Sequence, residues 1–151
     1  MNIEIREVTK GNLGEILKLS VSESQKSYIE SIEQCLKDAL ECNCYKPVGL
    51  YIDNYLVGFA MYGFFPGEDG EGRVWLDRFL IDKKYQGKGY GNRMLEFLIQ
   101  HLKCKYNCNK IYLSLYDDNK PALNLYKKFG FQFNGELDVN KERVMVKTLN
   151  E

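Results

Sequence analysis

Histidine is nearly missing from this sequence: His101 is the only one among 151 residues. A zinc site would therefore have to be built from thiols and carboxylates. Cys42 and Cys44 stand two apart and Cys104 and Cys108 four apart, and neither spacing is that of a CxxC knuckle. No metal is expected. An odd count of five cysteines fits thiols kept reduced in a cytoplasmic setting. Charge of one sign is lacking as well, with 21 basic residues against 21 acidic ones, so nothing global favours nucleic acid. No apolar run approaches the roughly 20 residues of a membrane span. The opening MNIEIREVTK alternates charged and apolar residues, and so lacks the apolar stretch of a signal peptide. Two phosphate-binding fingerprints, GxxxxGK[ST] and GxGxxG, do not occur.

What is present is a regular succession of short elements, enough for one domain over residues 1–151. Residues 3–8 alternate as a strand. Thr9 is positioned to cap a helix carrying Leu13, Ile16, Leu17 and Leu19, and a second helix is expected from Tyr28 to Cys42, ended by Pro47. Strands follow at Val48–Ile52 and Leu56–Phe65, joined by a turn at Asp53 and Asn54. PGEDGEG reads as a loop, and RVWLDRFLID (Arg73–Asp82) as a buried strand. From Gly89 to Cys104 apolar residues recur three and four apart. Then come a strand (Ile111–Tyr116), a helix (Pro121–Phe129) and two strands around a turn at Asp138–Lys141. Strand, two helices, three strands, helix, strand, helix and two strands predict an α/β (α+β) fold, a mixed sheet covered by helices. Its fourth strand, third helix and fifth strand form a βαβ unit whose crossover keeps those two strands parallel.

Between that buried strand and the third helix lies Tyr85-Gln86-Gly87-Lys88-Gly89-Tyr90-Gly91. Glycines there permit a tight turn, and the amides at the start of a helix can bind a phosphate oxygen, helped by the helix dipole. An ordinary tight connection needs glycine too. Read as QxxGxG (Gln86, Gly89, Gly91), the segment resembles the signature of the GNAT superfamily of N-acetyltransferases. Asn119-Lys120-Pro121-Ala122-Leu123-Asn124-Leu125-Tyr126-Lys127-Lys128-Phe129-Gly130-Phe131 resembles that family's NxxAxxLYxxxGF element.

The resemblance implies a mostly antiparallel seven-stranded sheet with helices on both faces, and acetyl-CoA as co-substrate. By the same token Gln86, Gly87, Lys88, Gly89, Tyr90, Gly91 and Asn92 would hold its pyrophosphate. Backbone groups at Phe79, Leu80 and Ile81 would pair with pantetheine, an amide near Leu80 would polarise the thioester carbonyl, and Asn119 and Ala122 would lie along the arm. Tyr126 would sit beside the thioester sulfur. Its phenol, protonated at neutral pH, is the expected proton donor to the leaving thiolate. The alternatives are a capping Asn119 and a core Tyr126.

An alkylammonium with a pKa near 10.4 is under about 0.1% neutral at pH 7, so the amine needs a base. Asp77 is the candidate, because alternation along the strand separates its side chain from those of Leu76 and Arg78. A salt bridge to a nearby arginine is the other reading. The second helix region is acidic, with Glu23, Glu30, Glu33, Asp38 and Glu41 against Lys26 and Lys37, which suits a polycation. YKPVGLY, VGFAMYG, RVWLDRF, FGFQFNGELD and VMVK are similar to stretches of bacterial spermine/spermidine acetyltransferases. That similarity implies a polyamine acceptor lined by Glu23, Tyr28, Glu30 and Asp77, and a homodimer, for which the valine-rich final strand is a candidate. A protein amine as acceptor, a non-catalytic acetyl-CoA sensor, and a covalent relay through Cys42 or Cys44 are the competing readings.

Overall fold

The structure is a computed structural model that describes residues 1–22, 25–26, 30–67 and 71–149. Seven strands form one sheet: β1 (Ile3–Glu7), β2 (Tyr45–Ile52), β3 (Tyr55–Pro66), β4 (Gly72–Ile81), β5 (Lys110–Leu115), β6 (Gln132–Leu137) and β7 (Arg143–Thr148). Their spatial order is β1-β2-β3-β4-β5-β7-β6, and only β4 and β5 run parallel. Among the described residues the α-helices are α1 (Leu13–Leu17), α2 (Ile32–Glu41), α3 (Tyr90–Tyr106) and α4 (Lys120–Lys128). This is the seven-stranded, mostly antiparallel architecture expected. β7 lies between β5 and β6 with both edges paired, so it completes the sheet and has no free edge for a partner.

The helices cover both faces because the strands are apolar on both. One core packs Met94, Leu95, Leu98, Ile99 and Leu102 of α3 against Leu50, Leu76, Leu113 and Met145 of the sheet. Those five α3 side chains are at most 3% exposed, and burying each contributes roughly 1.5–3 kcal/mol as an upper bound. A smaller core on the opposite face joins Ile16 of α1, Ile32 and Cys35 of α2, and Phe59, Met61 and Leu80.

Both early helices are shorter than periodicity suggested. α1 is a five-residue turn with Gly14 inside it; Asn12 takes the N-cap position, and its side-chain oxygen accepts from the Thr9 amide (2.8 Å). α2 begins at Ile32, where the Ser31 hydroxyl accepts from the Gln34 amide at 3.1 Å. Tyr28, where the sequence reading began this helix, lies outside the described residues. The β2–β3 turn has Asp53 and Asn54 at φ +50° and +71°, the paired left-handed conformation of a two-residue hairpin.

Two irregularities in β4 build the site. Against β3, Arg78 stands opposite Met61 and Leu76 opposite Tyr62, leaving Asp77 as an extra, bulged residue. A bulge breaks the alternation of side chains, so Asp77 and Arg78 open into one cavity. The separation of Asp77 from Arg78 expected from strand alternation is thereby overturned, while Leu76 still packs in the α3-side core. On its other side β4 meets β5 at a single register pair, Trp75 with Tyr112, whose rings lie 5.4 Å apart. No other β4–β5 register pair forms among the described residues, and the Phe79–Ile81 end of β4 lines a cleft together with the glycine loop and α4.

Candidate active site

The cleft has a volume of about 440 Å³ and is framed by three elements. Phe79, Leu80 and Ile81 supply one wall from the end of β4. Gly87, Gly89, Gly91 and Asn92 supply the end, and Asn119, Ala122 and Tyr126 the wall contributed by α4. Of the sequence candidates for this side, Lys88 and Tyr90 alone are not among its lining. Lys88 is exposed and lies 5.7 Å over the Tyr85 ring, which itself sits 6.0 Å from that of Tyr90.

Gly87 and Gly89 have φ of +78° and +80°, and a Cβ on either would meet nothing within 4 Å. Glycine is thus required by backbone conformation, and the space in front of the loop is open. Gly89 is the N-cap of α3 and offers no side-chain cap. The amides of Tyr90, Gly91 and Asn92 therefore lack intrahelical partners, while the next, of Arg93, bonds the Gly89 carbonyl at 3.3 Å. No acidic residue stands in that first turn. Open space before unpaired amides at the positive end of a 17-residue helix is what an oxyanion such as pyrophosphate needs. Gly89→Val should force φ out of the left-handed region, costing about 1–2 kcal/mol. We expect the Kd for CoA to rise about tenfold or more by calorimetry, with little change in affinity for the acceptor.

Gln86 has a different job from its neighbours. Its amide donates to the Ile81 carbonyl (2.8 Å) and to Gln25 Oε1 (3.0 Å), tying the loop to the end of β4 and to the segment before α2. Asn119 takes the N-cap position of α4 yet makes no side-chain capping bond, and Pro121 in the first turn needs no amide partner. Its carboxamide faces the cleft without the competing capping role. Tyr126 packs edge-on against Phe131, ring centroids 5.7 Å apart, and burial pushes its phenol up to about 12. The ring is thus part of the packing as well as of the cleft. A proton moving from that phenol to a thiolate whose conjugate acid lies near 8.5 would run uphill by roughly 3.5 units, about 5 kcal/mol. A hydrogen bond donated to the thiolate asks less of this phenol than full transfer does.

Across β4 lies a larger cavity of about 880 Å³. Seven carboxylates line it against two guanidiniums, and each guanidinium is matched. Arg73 grips Glu136 with two bonds (2.7 and 2.8 Å), and Arg78 holds Glu30 at 2.8 Å. Asp38, Glu41, Asp77, Asp138 and Glu142 remain, beside the aromatic surfaces of Tyr45, Phe65 and Trp75. Burial raises Asp77 to about 6, with Glu30, Asp138 and Asp38 adding to the shift and Arg78 opposing it. Its Oδ2 is buried with no hydrogen-bond partner. Glu142 is pushed to about 7 by burial and by Asp138. Carboxylates so disfavoured in their charged form are a site for cations.

Sequence reasoning brought Glu30 and Asp77 here. Glu23 and Tyr28 lie outside the described residues. It missed Glu136 near the end of β6, Asp138 and Glu142 of the β6–β7 connection, and Arg78. Asp138 in particular reads as a turn residue, and it is one, accepting from the amides of Asn140 (2.8 Å) and Glu142 (2.9 Å). All five cysteines are free thiols, and burial raises that of Cys35 to about 11. His101 is engaged with the Tyr62 hydroxyl at 3.0 Å.

A bulged strand with a helix start of unpaired amides beside one cavity and carboxylates lining the other suits a group-transfer enzyme that brings an anionic donor to a cationic acceptor. Comparison with known proteins agrees. The Acetyltransferase (GNAT) family pattern matches residues 7–131, and the chain belongs to that family. It is 60% identical, over 99% of its length and 100% of the relative's, to the spermine/spermidine N(1)-acetyltransferase of Bacillus subtilis (strain 168). Its fold matches an aminoglycoside acetyltransferase AAC(6')-Ib in complex with coenzyme A with a TM-score of 0.80 at 19% identity, covering 97% of this chain and 95% of the other. It also matches a PaiA N-acetyltransferase of Thermoplasma acidophilum in complex with coenzyme A, with a TM-score of 0.67 at 20% identity over 98% and 99% of the two chains.

Proposed function

We propose that residues 1–151 form one N-acetyltransferase domain that moves the acetyl group of acetyl-CoA onto a primary amine of spermine or spermidine, by direct attack with both substrates bound. The observation that carries this reading is that β4 lines both cavities, its Phe79–Ile81 stretch the anion-ended cleft and its Arg73–Arg78 stretch the acidic one. The relative sharing 60% of its residues bears that acceptor in its name. Acetyl-CoA supplies the activated acyl thioester. The first-turn amides of α3 and the Gly87–Gly89 loop bind its pyrophosphate, and the open edge of β4 pairs with the pantetheine amides as an added strand would. The Leu80 amide steadies the carbonyl oxygen as charge gathers on it. Asp77 accepts the amine's proton, through water because aspartate is a short side chain, and Tyr126 donates a hydrogen bond to the departing thiolate. A cytoplasmic location and a homodimer, through surfaces other than β7, belong to the same reading.

A polycation in this cavity would keep several carboxylates ionised at once, which a monoamine cannot do. In a thiol-release assay with spermidine, spermine, an aminoglycoside, a peptide and a simple monoamine, the two polyamines should exceed the others in kcat/KM by about 100-fold. Glu142→Gln should raise the KM for spermidine about tenfold at pH 8. At pH 6, below the value near 7 to which that carboxyl is raised, the variant and the parent should differ little. A peptide acetylated faster than spermidine, or thiol release with none of these amines, would sink the reading.

A further inference from the structure

Two guanidiniums line the acidic cavity, and a polycation site should want neither; Arg73 is gripped by Glu136 with two bonds, which leaves Arg78 to explain. Arg78 is part of the wall next to Asp77, with its side chain 22% exposed. Placing a cation there costs desolvation and repels the acceptor, so its presence calls for a reason. The bulge explains how it arrives. With Asp77 the extra residue, Arg78 leaves ordinary alternation and opens into the same cavity. It is then held at two of its three nitrogens. Nη1 donates to the carbonyl of Asp77 itself (2.6 Å), Nη2 meets Glu30 Oε1 (2.8 Å), and Nε is buried with no partner. Two unsatisfied buried atoms, Arg78 Nε and Asp77 Oδ2, thus belong to adjacent residues of one bulge.

Resting on the reading of Asp77 as the acceptor-side base, we infer that Arg78 is a positioning residue that keeps Asp77 ionised, and that Glu30 is the counterweight that limits this effect. The guanidinium is fastened to the backbone of the bulge from which the Asp77 carboxylate projects, and its charge favours the ionised carboxylate. Glu30 lies just before α2, neutralises part of that charge and adds its own negative charge to the field at Asp77. Other groups facing Asp77 are Asp38 of α2, Asp138 of the β6–β7 turn and Tyr45 of β2. Glu41, Glu142 and the Arg73–Glu136 pair share the cavity. Nearly all of these are acidic and push Asp77 toward its protonated, inactive form. Arg78 is the charge that opposes them.

The two partners of this ion pair therefore act on Asp77 with opposite sign, which a merely structural salt bridge would not do. Removing Arg78 takes away a cation and makes Asp77 harder to ionise; removing Glu30 takes away an anion and makes it easier. The test is the acidic limb of kcat/KM against pH, read as the ratio of variant to parent so that the amine's own ionisation cancels. Arg78→Met should move the limb up by about one pH unit, Glu30→Gln should move it down by about half a unit, and Arg78→Lys should leave it within a few tenths. The carboxyl ¹³C shift of Asp77, titrated in the ligand-free protein, should move in the same two directions. An unmoved limb and NMR midpoint in Arg78→Met, or displacement of both variants in the same direction, overturns the inference. Should spermidine prove a poor acceptor, the NMR titration still decides the role of Arg78, so the two ideas fail separately.

Discussion

Asp77→Asn should lower kcat for spermidine acetylation by about 100- to 1000-fold at pH 7.5 and at the same time make the fold more stable. The first effect is the ordinary contribution of a positioned general base. The second follows from the cost of keeping a carboxylate in a buried, acidic surround. In the fold Asp77 is raised to about 6 from an ordinary value of 3.8. Stability contributed by such a group is fully present below the unfolded value and is lost as pH rises through the folded one. Above about pH 6, then, the parent bears a charge that the asparagine variant does not. A shift of this size corresponds to at most about 3 kcal/mol, so about 1–3 kcal/mol, or roughly 3–8 °C in Tm, should be gained at pH 8. At pH 4 the two proteins should melt nearly together. Equal melting at pH 8, or retention of parental kcat across the pH range, would remove Asp77 from its role.

That trade ties the site to the bulge of β4 against β3, and it marks where reading a sequence stops. The donor side was legible because its determinants are local. Glycines at Gly87 and Gly89 answer a φ requirement within one loop, and the apolar spacing of α3 announces the helix whose amides they expose. Asn119 and Tyr126 are seven residues apart on one short helix, and both line the same cleft. The acceptor side depends on pairings between distant segments. Nothing in LDRF says that β3 will shift register between Met61 and Tyr62 and so bulge Asp77. Strand alternation gave the opposite expectation for Arg78. Asp138 and Glu142 look like solvated turn residues until β7 is inserted beside β5, where Ser114 donates to Asp138 Oδ2 at 2.8 Å. The salt-bridge and catalytic readings of Asp77 also prove to be less opposed than they looked. Its arginine neighbour bonds its carbonyl and leaves carboxylate Oδ2 unpaired.

Tyr126→Phe is the complementary test on the donor side, and its expected signature differs in kind. Because burial holds the phenol at about 12, it keeps its proton throughout any practical assay range and cannot produce a limb in the pH profile. What the hydroxyl can offer is a hydrogen bond that strengthens as negative charge develops on the leaving sulfur. A bond to a charged acceptor is worth about 1.5–3 kcal/mol, so kcat should fall about 10- to 100-fold. The fall should be constant between pH 6 and pH 9. The KM for acetyl-CoA should change less than about threefold, since an interaction realised mainly in the transition state lowers kcat and kcat/KM together. Phenylalanine preserves the edge-on packing against Phe131, so melting should be unchanged and the loss cannot be assigned to a damaged fold. Were Tyr126 instead a titrating acid, the parent's advantage would shrink as pH approached its pKa. Undiminished turnover in the variant would leave the thiolate to be protonated from solvent and reduce Tyr126 to a wall of the cleft.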